Sequence, residues 1–187
     1  MEHTQGVAVA GFKYRLEHIR RIDVMHAMGL SIEGLERRGD SVVLSVEDVS
    51  NLIPTEGLNY MLGTALIGVA QLASWFIALF EGNYTPVAGV TAATFVAAAT
   101  ESTAYNEATR VAWTPGAITA GSVSNTASKA VFTMNATKSI YGIAQTSVSA
   151  KSAVTGVLMS VALFAAVKNV VNTDVLNVTS TLSATST

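Results

Sequence analysis

The fold class is decided by residues 128–144, which read Ser128-Lys-Ala-Val-Phe-Thr-Met-Asn-Ala-Thr-Lys-Ser-Ile-Tyr-Gly-Ile-Ala. The apolar side chains of Ala130, Phe132 and Met134 recur at every second position, and the alternation resumes at Ile140. A period of two is typical of a strand that turns one face toward a core. The stretch therefore predicts one long strand with a kink, or two strands.

Further strands are predicted on both sides of this stretch. Phe12-Lys-Tyr-Arg-Leu-Glu-His-Ile-Arg alternates apolar and polar residues over most of its nine positions, and Trp75-Phe-Ile-Ala-Leu-Phe has the aromatic and apolar composition of a buried strand. Weaker strand patterns lie at residues 41–49, 101–113, 157–164 and 174–182. Short strands separated by turns predict a mainly β fold, an antiparallel β-sandwich of the jelly-roll or immunoglobulin-like type.

One short helix is predicted near residues 54–68. Pro54 suits a first helical turn, Glu56 favours the positive end of the helix dipole, and Gly68 marks the expected end. Residues 88–99, rich in Ala and Thr, leave open a loop with a short helix or an edge strand. Residues 20–40 are compatible with a hairpin excursion or a short helix.

Charge is distributed unevenly along the 187 residues. Residues 1–56 contain most of the acidic and basic side chains, whereas the whole chain has only 13% charged residues, about half the usual fraction. Surfaces without charge tend to be covered by partners or by membrane. We expect residues 1–56 to form N-terminal strands, a hairpin or an arm and residues 57–187 to form a β-sandwich domain, or both to form one continuous domain. We also expect a homo-oligomer.

A membrane-inserted protein is the competing interpretation of Leu58 to Phe80, a 23-residue run without charge that is long enough to span a bilayer. Its near flanks supply Glu56 and Glu81 but no Lys or Arg to orient insertion. The pattern also changes from helical spacing to strand composition near Ala73. We therefore expect a buried helix followed by a core strand, and no membrane partner.

Other classes of function are disfavoured by composition. No Lys/Arg cluster follows residue 38, which argues against a nucleic-acid partner. The absence of cysteine removes thiol nucleophiles and thiolate metal sites. The first residues do not resemble a secretory signal, so synthesis in the host cytoplasm is expected.

Candidate chemical groups are few. His18, Asp23 and His26 could in principle bind zinc, with His3 further upstream, but their spacing matches no common ligand pair. We expect these residues to be polar groups on a strand and its hairpin. The sequence predicts no metal site, no cofactor and no catalytic residue.

Two features of the sequence bear on a carbohydrate-processing or carbohydrate-binding role. Glu101 and Glu107 are the only close acidic pair in the β-rich part, but six residues of strand would separate them by about 20 Å. We expect both carboxylates to be solvated, or Glu107 to pair with Arg110. Four aromatic residues could line a sugar-binding groove, although aromatics of a small sandwich usually belong to the core: Trp75, Tyr84, Tyr105 and Trp113.

Seven segments resemble a family of small virion proteins of tailed bacteriophages. They are Tyr14-Arg-Leu-Glu-His-Ile-Arg, Asn51-Leu-Ile-Pro-Thr-Glu-Gly-Leu-Asn-Tyr-Met-Leu, Trp75-Phe-Ile-Ala-Leu-Phe-Glu-Gly-Asn-Tyr-Thr-Pro, Thr91-Ala-Ala-Thr-Phe, Glu101-Ser-Thr-Ala-Tyr-Asn-Glu-Ala-Thr-Arg, Ser124-Asn-Thr-Ala-Ser-Lys-Ala-Val-Phe-Thr-Met-Asn-Ala-Thr and Asp174-Val-Leu-Asn-Val-Thr. The chain departs from the family pattern by an insertion at Ile22 to Arg38, by Thr173 where the family has Gly, and by Ser180 where it has an aromatic.

The resemblance implies a non-enzymatic structural protein located on the virion. The expected role is a capsid decoration or cement protein on the capsid surface, with the major capsid protein and copies of itself as partners. The alternative is a tail, fibre or head-fibre component with a face that binds a host glycan.

Overall fold

The computed structural model describes residues 10–184, so His3 and the first part of the expected N-terminal arm lie outside the described residues. The strands are β1 (Ala10–Arg21), β2 (Glu36–Arg38), β3 (Ser41–Ser50), β4 (Trp75–Phe80), β5 (Glu101–Ser102), β6 (Val111–Trp113), β7 (Ser122–Ser124), β8 (Ala130–Thr133), β9 (Lys138–Thr146), β10 (Leu158–Val170) and β11 (Val175–Ala184). The helices are α1 (Ile22–Ala27), α2 (Thr55–Leu66) and α3 (Ala92–Ala99).

The strands form two antiparallel sheets, which confirms the mainly β sandwich. The six-stranded sheet has the order β2-β3-β1-β11, with β7 and β8 both paired along β11. The five-stranded sheet has the order β10-β9-β4, with β5 and β6 both paired along β4. Because β1 lies between β3 and β11, the N-terminal strands belong to the same sheet as the last strand.

The decisive stretch at residues 128–144 passes from one sheet to the other. Its first half is β8 of the six-stranded sheet and its second half is β9 of the five-stranded sheet, so the prediction of two strands is the correct alternative. Phe132, Met134 and Ile140 are completely buried between the sheets. They pack there with Tyr14 and Leu79, one from each sheet.

The ambiguous segment at residues 88–99 contains α3, which covers the other face of the five-stranded sheet. Phe95 of α3 meets Phe80 of β4 edge to face, with ring centroids 6.0 Å apart. Thr91 and Thr94 form a reciprocal capping box at the start of α3, which satisfies free backbone N–H groups there. The sandwich therefore carries a helical layer on one side.

The insertion at Ile22 to Arg38 holds α1 and the edge strand β2. Thr173, at the second departure from the family pattern, has a φ of +73°, a left-handed conformation that glycine adopts at lower cost. Ser180, at the third, is completely buried and donates from Oγ to Gln145 Oε1 across the sandwich. An aromatic side chain would not fit there without movement of both sheets.

Candidate interaction surface

Helix α2 and the segment after it form a finger, which we define as residues 55–74. After α2 the chain folds back along the helix, and the Leu72 N–H donates to the Tyr60 hydroxyl at 2.6 Å. Tyr60 also meets the edge of Trp75, at the start of β4, with ring centroids 5.4 Å apart. The Val69 N–H donates to the Gly63 carbonyl at 3.1 Å, so the return segment packs back on α2.

The outer face of the finger is apolar and exposed. Leu58, Leu62 and Leu66 share one side of α2 and are 42%, 57% and 75% exposed, and Ile67, Val69 and Leu72 after the helix are exposed as well. Every residue from 65 to 74 is exposed. Exposed apolar side chains in such number are typical of interaction surfaces.

The inner face of α2 carries small residues. Gly57 and Gly63 are its buried positions, and a Cβ at Gly57 would lie 2.6 Å from the Met159 carbonyl oxygen of β10. A Cβ at Gly63 would lie 2.9 Å from the Val69 side chain. Glycine permits both close approaches, at Gly57 to strand β10 and at Gly63 to the return segment of the finger, while the leucines of α2 face solvent.

The prediction of a buried helix at this point is therefore wrong, while the core strand that follows it is confirmed as β4. The helical spacing is confirmed, but α2 packs against its neighbours with the side that carries Gly57 and Gly63. No helix among residues 10–184 combines the length and apolar character needed to cross a bilayer, because the uncharged run is divided among α2, an exposed return segment and β4.

Glu56 anchors the base of the finger. Its Oε2 atom accepts the Leu158 N–H of β10 at 2.7 Å and the Ala92 N–H of α3 at 2.8 Å. The carboxylate also lies in the first turn of α2, at the positive end of the helix dipole. One side chain thus ties α2 to both layers behind it, and from Gly57 to Phe80 no further charged residue occurs.

The body of the sandwich contains a buried ion pair that corrects the expectation for its acidic residues. Arg110 is 1% exposed and donates from Nε to Glu101 Oε1 at 2.8 Å. The carbonyls of Val148 and Ala153 accept its remaining N–H groups. Glu107 instead accepts the Thr133 N–H. Arg110 therefore pairs with Glu101 and not with Glu107, because the loop between them folds both onto β4.

A second buried cluster contains one of the candidate zinc ligands. Asp174 is completely buried and accepts hydrogen bonds from His18 Nε2 at 2.7 Å and Arg20 Nε at 2.8 Å. Burial alone would raise the pKa of Asp174, but these hydrogen bonds outweigh it and hold that pKa below its usual range. His26 is exposed on α1, and residues 10–184 place no three His, Asp or Glu side chains together around a metal-sized space.

A third cluster lies on the outer face of the six-stranded sheet. Glu17 accepts hydrogen bonds from Lys129 at 2.9 Å, Arg38 at 3.2 Å and Asn177 at 3.4 Å. Burial opposes ionisation, yet these donors lower the pKa of Glu17 to about 2. The carboxylate is therefore charged over the whole physiological pH range.

A groove of about 890 Å³ lies beside this cluster. Hydroxyl groups of Ser50, Thr179 and Thr181 line it together with Lys13 and Arg15. The four aromatic residues considered for sugar binding do not line it. Tyr105 packs edge to face on Phe132 between the sheets. Trp113 packs against the buried residues between the sheets, and Tyr84 against those between α3 and the five-stranded sheet. Trp75 contacts Tyr60 of the finger.

Comparison of the chain with protein-family models, with curated proteins and with solved structures finds no match in any of the three.

Proposed function

We propose that this protein is a non-enzymatic structural subunit of a tailed-bacteriophage particle, and specifically a capsid decoration or cement protein. The observation that carries this proposal is the finger, an uncharged apolar surface displayed on a tightly connected sandwich. The resemblance of seven sequence segments to small virion proteins supports the same conclusion and adds the virion location. The proposed partners are the major capsid protein and further copies of this chain.

The physical properties of the two parts suit such a role. A lattice subunit needs a body that keeps its shape and a surface that loses water when neighbours assemble. The buried pairs around Arg110 and Asp174 fix the body, and the finger supplies the surface. Because many copies bind one particle, each contact needs only modest affinity.

A tail, fibre or head-fibre component that binds a host glycan is the second candidate. The groove beside Glu17 favours it, because hydroxyl and cationic side chains can donate hydrogen bonds to an acidic or neutral saccharide. The four aromatic residues considered for sugar binding do not support it, since they lie outside the groove.

Copy number distinguishes the two candidates. We would purify virions and compare the band of this protein with that of the major capsid protein by quantitative gel densitometry. A decoration subunit is expected at a molar ratio between about one to three and one to one, as symmetric occupation of a capsid lattice requires. A ratio below about one to twenty would contradict decoration and favour the tail or fibre role. Absence from virions would contradict both.

A further inference from the structure

The groove beside Glu17 is a depression in the outer face of the six-stranded sheet. Gly11 and Lys13 of β1 both lie on this face, because residues two apart on a strand share a side. The strand register places Lys13 between Ser50 of β3 and Thr181 of β11, and all four residues line the groove. A Cβ at Gly11 would meet nothing within 4 Å, so the space next to Lys13 is open.

Lys13 is the cation of the groove that has no counter-ion among residues 10–184. Arg15 pairs with Asp48 at 3.1 Å, and Lys129 pairs with Glu17 at 2.9 Å. No carboxylate of the described residues forms an ion pair with the Lys13 ammonium. An ammonium in a concave site raises the local concentration of anions, so the groove favours a ligand that carries a negative charge.

The wall of the groove also contains a hydrogen-bond donor that lacks an acceptor. Asn51 lines the groove, and its Oδ1 atom accepts the Phe12 N–H at 3.0 Å, which fixes how the amide is turned. Its Nδ2 atom is buried and has no hydrogen-bond partner within the described part of the chain. Because buried donors are almost always paired in folded proteins, the acceptor for this amide is supplied from outside residues 10–184.

The lining of the groove does not suit a nucleic acid. Phe12 and Tyr14 line it, but the side chains of both are buried, so neither ring offers a stacking surface to a nucleobase. Arg15 and Lys129 are already neutralised by carboxylates, which leaves no row of free cations for successive phosphates. The groove therefore matches a ligand with many oxygen acceptors and a single negative group.

We propose that this groove binds an acidic oligosaccharide, with a carboxylate on the Lys13 ammonium and sugar oxygens at Ser50, Thr181 and Asn51. The volume of about 890 Å³ lies near the upper end of the range for ligand pockets, so more than one sugar ring fits. Charge-assisted hydrogen bonds are about twice as strong as neutral ones, so the carboxylate gives selectivity over an uncharged sugar. This inference rests on the second candidate function, in which the groove takes a glycan.

Two acidic probes test the class of ligand: trigalacturonic acid and sialyllactose, with the uncharged maltotriose and lactose as their matched controls. The purified full chain is titrated with each sugar at low ionic strength, where screening of Lys13 is small, and its backbone amides are followed by NMR. At least one acidic probe should bind with a dissociation constant of about 1 mM or below. The uncharged sugars should bind at least about 10-fold more weakly.

Two substitutions test the position of the site. Lys13→Gln should weaken binding of the acidic probe at least about 10-fold, whereas Lys138→Gln, which removes the same charge from β9 outside the groove, should leave it unchanged. Gly11→Phe should abolish binding, because its ring enters the open space beside Lys13 without meeting the fold. Gly89→Phe, also in open space but outside the groove, is the control. Circular dichroism of each variant confirms that the fold is intact.

The proposal is overturned if neither acidic probe binds at about 10 mM, well above the expected constant. Equal affinity for the uncharged sugars, or unchanged binding by Gly11→Phe, would overturn it as well. These results come from the purified chain and are independent of copy number in virions. An abundant virion subunit that binds no acidic sugar contradicts only this inference, and a sugar-binding chain that is absent from virions contradicts only the proposed function.

Discussion

The side chains of the sandwich and of the finger differ in how far they are buried and in how many partners they have. In the sandwich, buried charges such as Arg110 have several partners, and the apolar residues between the sheets are almost completely excluded from water. In the finger, polar contacts hold the base while the leucines remain in solvent. The chain thus combines a region whose side chains bury and pair one another with a region that leaves an apolar surface in contact with solvent.

The largest test of this comparison removes the Arg110 guanidinium. Arg110→Met should destabilise the fold by about 3–5 kcal/mol, because it leaves the Glu101 carboxylate buried without its partner. Chemical denaturation followed by circular dichroism measures the change. The double variant Glu101→Gln with Arg110→Met should recover part of the loss, since it removes the unpaired charge. Equal stability of the single variant and the unmodified protein would show that the pair is not buried.

The second test acts where the two regions meet. Gly57→Ala introduces a Cβ against the backbone of β10, 2.6 Å from the Met159 carbonyl oxygen. Overpacking of this kind should cost about 2–3 kcal/mol and displace the finger base. Hydrogen exchange should accelerate in residues 55–74 while the amides of β4 and β9 stay protected. Gly89→Ala is the control, because open space surrounds that position.

The third test uses pH, to which the uncharged part of the finger cannot respond. The pKa of Glu17 is about 2 in the folded protein, and its ordinary value is 4.5. The Glu17 carboxylate therefore stabilises the fold fully above pH 4.5, and this contribution is lost as pH falls toward 2. Glu17→Gln should cost about 2 kcal/mol at pH 7, after allowance for its partly exposed partners. The difference in unfolding free energy between the two proteins should shrink between pH 4.5 and pH 2. A difference independent of pH would contradict the assignment.

The smallest expected effect is on the finger itself. Leu66→Ser should change the stability of the monomer by less than about 0.5 kcal/mol, because Leu66 is largely solvated already. Leu79→Ser, the matched change at a fully buried leucine, should destabilise the fold by at least about 3 kcal/mol. Thermal unfolding of each variant measures both. A large loss for Leu66→Ser would mean that the finger packs on its own chain.

Sequence reasoning predicted the strands well where alternation or composition was strong. Residues 75–80 were identified as a strand with the bounds that the structure has, because an aromatic run next to turn residues suits few other structures. The sequence does not distinguish a helix from an edge strand at α3, since Ala and Thr show little contrast between buried and exposed positions. The spacing of Ala92, Phe95 and Ala99, all buried, was the signal that would have identified it.

The finger shows what the spacing of apolar residues along a helix does not determine. A stripe of leucines identifies the apolar face of a helix, but not whether the same chain buries that face. Gly57 and Gly63 indicate the packed face, because small residues allow neighbouring groups to approach closely.

The pairing of Arg110 with Glu101 is a second feature that spacing along the chain does not predict. Distance along the chain favoured Glu107, whereas strand pairing brings Glu101 closer.

The antiparallel pairing of β1 with β11 has a consequence for the order of events during synthesis. His18 and its partner Asp174 are 156 positions apart, so β1 has only β3 as a neighbour until nearly the whole described chain has left the ribosome. Structures that depend on such distant contacts form slowly, because the intervening chain must be ordered first. The six-stranded sheet is therefore completed after translation of β11, and until then the nascent chain exposes the open edge of β1 as well as the finger.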